Sequence, residues 1–180
     1  MIELVETHLQ IIFNHAQSTY PEECCGVMLG NVSDKNKNIV EIIPTQNAWN
    51  QETAINFQEN DLNHSKKRRY TIASQKMLEI QKSARDKNLN IVGIFHSHPD
   101  YPAIPSEFDR ISAWEEYSYI IVSVQKGHPG EINSWILDEN HQFQPEEILV
   151  MGNWELGIGI GQKFLNSLLS TLYSLLPTPK

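Results

Sequence analysis

Leu89-Asn90-Ile91-Val92-Gly93-Ile94-Phe95-His96-Ser97-His98-Pro99 is an apolar, β-branched run that ends in two histidines and a proline. Its composition up to Phe95 is that of a buried strand. Ahead of it, Ser74 to Lys87 reads as a helix. Ser74 stands at the N-cap, Met77, Leu78, Ile80, Gln81 and Ala84 continue it, and Lys82, Arg85 and Lys87 fall on outer turns. A helix feeding a buried strand predicts an α/β architecture, with helices packed on a central sheet.

Residues two apart on a strand project to the same side, so His96 and His98 can hold one metal ion. A third ligand then has to come from a turn that folds back over them. Asp109 is the candidate, in the first turn of a helix opened by Pro105-Ser106, with Ser106 as N-cap. Asp100 competes by proximity, but Pro99 stands between it and His98 and makes the return difficult. Pro99, Pro102 and Pro105 stiffen the loop and reduce the entropy it loses on holding Asp109 in place. Two imidazoles and one carboxylate suit a single zinc ion and leave a fourth tetrahedral place for water. Water so held falls in pKa from near 16 to roughly 7 and becomes a usable nucleophile.

A base to take its proton can be sought in Tyr20-Pro21-Glu22-Glu23-Cys24-Cys25-Gly26-Val27-Met28-Leu29-Gly30. Here a turn delivers a carboxylate into an apolar run, where it is costly unless something charged meets it.

With these residues the sequence resembles the JAMM, or MPN-plus, metallo-isopeptidases. Their motif is a glutamate in Pro-x-Glu-x-x-Gly, a His-Ser/Thr-His-Pro segment, and a Ser-x-x-Asp whose serine follows the second histidine after seven residues. Glu23, within Pro21 to Gly26, then His96, His98, Ser106 and Asp109 match every position, spacing included. The resemblance covers residues 1–149 and is nearest to bacterial members carrying Glu-Glu-Cys-Cys-Gly and His-Ser-His-Pro. It implies one domain over 1–149 with a central mixed sheet, layered as in cytidine deaminases, while residues 150–180 depart from the family as an extension carrying an amphipathic helix. It further implies that His96, His98 and Asp109 bind zinc, that Glu23 is general base and acid, and that Ser106 hydrogen-bonds the developing oxyanion. The substrate it implies is a ubiquitin-like sulfur-carrier protein, from whose tail cysteine is released. The alternatives are a general isopeptidase of the deubiquitinase kind and, from another class, a non-catalytic MPN scaffold. Ser106 also has a purely structural reading, because Ser-x-x-Asp is a capping arrangement in its own right.

The 180 residues are 40% hydrophobic and 20% charged, enough for one ordinary core and too few for a second full domain. With 14 Lys plus Arg against 22 Asp plus Glu, the formal charge of -8 argues against general binding to nucleic acid or anionic lipid. Cys24 and Cys25 are adjacent and cannot readily pair with each other, and they read as packed small hydrophobes. The amino terminus lacks the features of a secretory signal, and no run is long enough for a membrane span, so a cytoplasmic setting is expected.

Along the chain, Ile2, Val5, Leu9, Ile12, Phe13 and Ala16 share one helical face, which predicts an amphipathic helix over 2–16 with His8 and His15 at the surface. Cys24 to Leu29 and Ile39 to Ile43 predict a hairpin. Pro44 to His64 is polar and aperiodic, a loop at the substrate entrance, and runs into Lys66-Lys67-Arg68-Arg69. That basic run is either a solvated flank or a dock for an acidic surface of a protein substrate, with Lys67 and Arg68 as the contacts. Tyr70 to Ile72 has a strand-like texture, Arg110 to Glu116 completes a third helix, and Tyr117 to Val124 pairs with Ile132 to Asp138 across a turn at Gly127 to Gly130. Gln142 to Met151 supplies an edge strand or short turn, His128 and His141 are surface residues, and Trp49, Trp114 and Trp135 belong to core or rim. In the tail, Phe164, Leu165, Leu168, Leu169, Leu172, Leu175 and Leu176 form one stripe of an almost uncharged helix, expected to pack on its own domain or in a homodimer.

Overall fold

The computed structural model describes residues 1–56 and 65–152. Eight strands form one sheet: β1 (Ile2–Val5), β2 (Cys25–Ser33), β3 (Asn36–Thr45), β4 (Asn90–Pro99), β5 (Ser118–Gln125), β6 (His128–Leu137), β7 (Phe143–Glu146) and β8 (Ile148–Met151). Their order is β7-β6-β5-β4-β2-β3-β1-β8. The pairs β1/β3, β1/β8 and β4/β5 are parallel and the others antiparallel, so the sheet is mixed, as expected.

Glu147 alone separates β7 from β8, yet these strands stand at opposite edges of the order. The sheet must therefore wind back on itself. Helix α1 (Glu6–Thr19) fills the hollow this makes, placing Leu9, Ile12 and Ala16 against Ile2, Leu4, Met28, Phe95, Val122 and Val150. Each fully buried aliphatic side chain of this kind contributes about 1.5–3 kcal/mol. On the other face, Ile80 and Ala84 of α3 (Ser74–Asp86) pack on Val27 and Leu29. The short helices α2 (Gln51–Asn56) and α4 (Glu107–Ser112) complete the described secondary structure, α4 lying in the crossover from β4 to β5.

The predicted helix over 2–16 is in fact a strand followed by a helix. Ile2 and Leu4 are buried while Val5 is 39% exposed, an alternation of period two, and Ile2 to Val5 pair with β8. His8 and His15 are not surface residues. His8 is buried with its Nδ1 accepting from the Val5 amide at 3.3 Å, and half-buried His15 has its Nε2 3.2 Å from the Cys25 carbonyl and 3.1 Å from that of Thr45. Pro44 and Thr45 belong to β3, and the segment after them holds α2 and a buried Trp49. Tyr70 to Ile72 is irregular, because its backbone is held by Asn47 and Ala48 instead of a neighbouring strand. Ser74 is the first residue of α3 with Ala73 at the cap, and α4 ends at Ser112, well short of Glu116. The hairpin turn between β5 and β6 is Lys126-Gly127, both at positive φ (51° and 83°), so His128 and Pro129 start the strand. The predicted tail helix, with Phe164 to Leu176, lies outside the described residues.

Candidate metal centre and cleft

The register of β2 on β4 builds the site. Cys25 pairs with His96, and the Ser97 amide donates to the Cys24 carbonyl at 3.2 Å. Glu23 stands two residues ahead of β2, and its side chain lines the same cleft as His98. Ser97 points to the opposite face, fully buried, and its Oγ accepts from the Cys24 amide at 2.8 Å. The parallel pairing of β4 with β5 routes the chain through α4, whose first turn carries Asp109 back over the histidines.

His96, His98 and Asp109 converge, with one ligand atom from each within 4.8 Å of the others. His96 Nε2 is 3.1 Å from His98 Nε2 and 3.4 Å from Asp109 Oδ1, and His98 Nε2 is 3.6 Å from Asp109 Oδ2. All three residues are buried. His98 Nδ1 lies 2.9 Å from the Pro102 carbonyl, which only a donor satisfies, so that nitrogen carries the proton and Nε2 turns its lone pair inward. Burial holds His96 neutral, pushing it down to about 4 against the pull of Asp109. Burial also works to raise Asp109, but His96, His98 and the Ser106 hydrogen bond outweigh it and hold the carboxyl well below the usual carboxylate range. Two imidazoles with facing nitrogens and an ionised carboxylate make a donor set that fits a metal ion. His96 Nδ1 is buried without a hydrogen-bond partner among the described residues, and the Tyr70 ring stacks on the imidazole at 4.5 Å.

Ser106 caps α4: its Oγ accepts from the Asp109 amide at 3.2 Å and donates to Asp109 Oδ2 at 2.6 Å. Its amide donates to the same Oδ2 at 2.7 Å, which fixes the carboxylate plane. Asp100 is turned away from the histidines. At φ 59° its carboxylate accepts from the Lys126 amide at 2.7 Å and the Tyr20 hydroxyl at 3.0 Å, so it pins the loop to the β5–β6 turn.

Glu23 shares a cleft with His98, Ser106, Lys67, Arg68 and Tyr101. Burial, and then the Asp109 charge, push the Glu23 carboxyl well above the usual carboxylate range, with Arg69 and Arg68 pulling the other way. The Glu23 backbone is clamped on both sides, since its amide donates to the Lys66 carbonyl at 2.7 Å and its carbonyl accepts from Asn47 Nδ2 at 3.0 Å. Beyond Asp109 lies a second, largely apolar groove walled by Tyr70, Ile72, Met77, Phe108, Trp114 and Tyr119.

Sequence reasoning missed Ser97, Asn47 and Tyr70. Asn47 is buried, and besides Glu23 it reaches the Arg69 carbonyl and the Trp49 and Thr71 amides, joining three segments. Its only signal was an asparagine within an aperiodic stretch. Ser97 carried a usable one, because a small polar residue between two histidines on a strand must face the packed side.

Residues 5–138 match the family described as prokaryotic homologs of the JAB domain. The chain is 33% identical over 78 residues to a desampylase of Pyrococcus furiosus, a match to 42% of this chain and 52% of the relative, so it spans about half of that protein's length. It is 28% identical over 123 residues to the CysO-cysteine peptidase of Mycobacterium tuberculosis, covering 67% of this chain and 72% of the other. A solution structure from Salinibacter ruber aligns with a TM-score of 0.60 at 28% identity over 88% of this chain and 97% of its own. One from Desulfitobacterium hafniense aligns at 0.66 and 24% identity, over 86% and 96%, and shares the fold.

Proposed function

Since the chain belongs to the prokaryotic homologs of the JAB domain, we propose that it is a zinc-dependent hydrolase cutting an amide at the carboxyl-terminal tail of a ubiquitin-like, sulfur-carrier type of protein. The observation that carries this reading is the convergence of His96, His98 and Asp109 beside a cleft that also holds Glu23. The relatives' names support a peptidase, and CysO-cysteine peptidase supports cysteine as the amine released. Two buried free thiols fit a cytoplasmic setting.

One zinc ion per chain would be held by His96 and His98 through Nε2 and by Asp109 through a carboxylate oxygen. When bound, zinc supplies Lewis acidity, polarising the amide carbonyl and lowering the pKa of water toward neutrality. Glu23 takes a proton from the attacking water and returns it to the leaving nitrogen as the carbon–nitrogen bond breaks. Its raised proton affinity suits that exchange near neutral pH. The Ser106 hydroxyl, which donates to Asp109 in this structure, turns to the carbonyl oxygen as negative charge develops there. Removing such a donor costs about 10²-fold or more in rate.

The test is Glu23→Gln. It should keep about one zinc per chain, measured by atomic emission, because Glu23 is not among the donors, and should lose hydrolysis by at least ~10²-fold. Full activity in that variant would assign the base elsewhere.

A further inference from the structure

We propose that Lys67 and Arg68 form a subsite for the free α-carboxylate of the departing amino acid, so that the chain removes a carboxyl-terminal residue in preference to a side-chain-linked amine. This rests on the hydrolase reading and names the substrate class within it. The net charge of -8 makes cations in the cleft exceptional, and Lys67 and Arg68 line the same cleft as Glu23, His98 and Ser106. Among the described residues neither forms a close ion pair, as Lys87 does with Glu41 at 2.6 Å and Arg110 with Glu107, and Arg68 acts on the Glu23 carboxyl only through space.

These two side chains stand on a turn bolted to the base. The Glu23 amide donates to Lys66, and Asn47 bridges the carbonyls of Glu23 and Arg69, so the backbone is tied to Glu23 on both sides of residues 67 and 68. Arg69 stiffens the turn, its guanidinium lying over the Phe108 ring at 4.4 Å and its Nη1 donating to the Arg68 carbonyl at 2.7 Å. The Arg68 guanidinium rests 4.4 Å from the centre of the Tyr101 ring, which holds its planar fork in one orientation. A departing amine must reach Glu23 to collect its proton. In an amino acid the carboxylate is two bonds from that nitrogen, so whatever reads it must lie close to Glu23. A lysine side-chain amine brings methylenes there instead, which offer these cations no charge to meet.

The experiment compares two synthetic carrier tails ending in Gly-Gly-Cys, one with a free carboxylate and one with a carboxamide, offered to the zinc-loaded full chain. Cleavage of the amidated tail should be slower in kcat/KM by about tenfold, the size of one lost charge-assisted contact. In the double variant Lys67→Gln, Arg68→Gln, with an unchanged circular dichroism spectrum, the ratio should fall toward one. Arg68→Lys should retain much of it. Equal cleavage of both tails by the unaltered chain overturns the subsite and leaves the hydrolase standing. Cleavage of neither overturns the hydrolase reading, and anisotropy with the Glu23→Gln chain then decides the subsite. Tighter binding of the carboxylate tail supports it, and equal binding overturns it.

Discussion

The Glu23 carboxyl lowers the stability of the protein under the conditions in which it is proposed to work. Burial raises it above its ordinary value of 4.5, so the folded chain binds this proton more tightly than the unfolded one. Its contribution is therefore fully present below 4.5 and is lost as pH rises through the folded value. Glu23→Gln should melt higher than the unaltered protein at pH 7, and the gap should close below pH 4.5; a lower melting temperature at pH 7 would contradict this. His96 has the opposite sign. Pushed down to about 4 from 6.5, it leaves the unfolded chain the stronger proton binder, so stability falls as pH drops from 6.5 toward 4. The metal-free Glu23→Gln chain, with the opposing group removed, should show a urea midpoint lower at pH 5 than at pH 7. Burial pushes the Cys24 and Cys25 thiols up to about 12 and about 11, so neither should react with a thiol reagent at pH 8 until the fold is opened.

At the scale of elements, β2 and β4 carry the active geometry, and their mutual register depends on small residues. A Cβ on Gly26 would collide with the Phe95 ring and stand 2.6 Å from the Ile43 carbonyl oxygen. Gly26→Ala should therefore cost about 1–3 kcal/mol in chemical denaturation, as overpacked cores do. Ser97→Ala leaves the buried Cys24 amide without its side-chain acceptor and should cost about 1–3 kcal/mol. Because Cys24 adjoins Glu23, that variant should lower kcat more than zinc affinity; an unchanged kcat would remove Ser97 from the positioning of the base. The strand and histidine spacing of β4 and the cap at Ser106 were legible in the sequence, since period-two patterning and Ser-x-x-Asp are local signals. Strand β1 was not. Ile2 and Val5 fall on the 3.6-residue stripe of the following helix, and only pairing with β3 and β8, both remote in sequence, makes Ile2 and Leu4 a strand. His15 and Asn47 were illegible for a related reason, because their partners at Cys25, Thr45, Glu23 and Arg69 are distant in sequence and polar.

For the whole molecule, the sheet wound around α1 encloses one hydrophobic cluster, and α3 covers another on the opposite face. Ile12 is fully buried in the cluster around α1, and Ile12→Ala should cost about 2–5 kcal/mol and shift the loss of zinc and of structure to the same lower denaturant concentration. The resemblance implied the mixed sheet, and its five positions, from the segment leading into β2, from β4 and from the α4 crossover, meet because β2 and β4 are neighbours. The most direct test of the account is the mass of the product when the zinc-loaded chain is incubated with a sulfur-carrier protein bearing cysteine after its terminal diglycine. The account predicts a carrier shortened by that one residue, and none from Glu23→Gln. An adduct of unchanged mass, from a chain that holds its zinc, would contradict it.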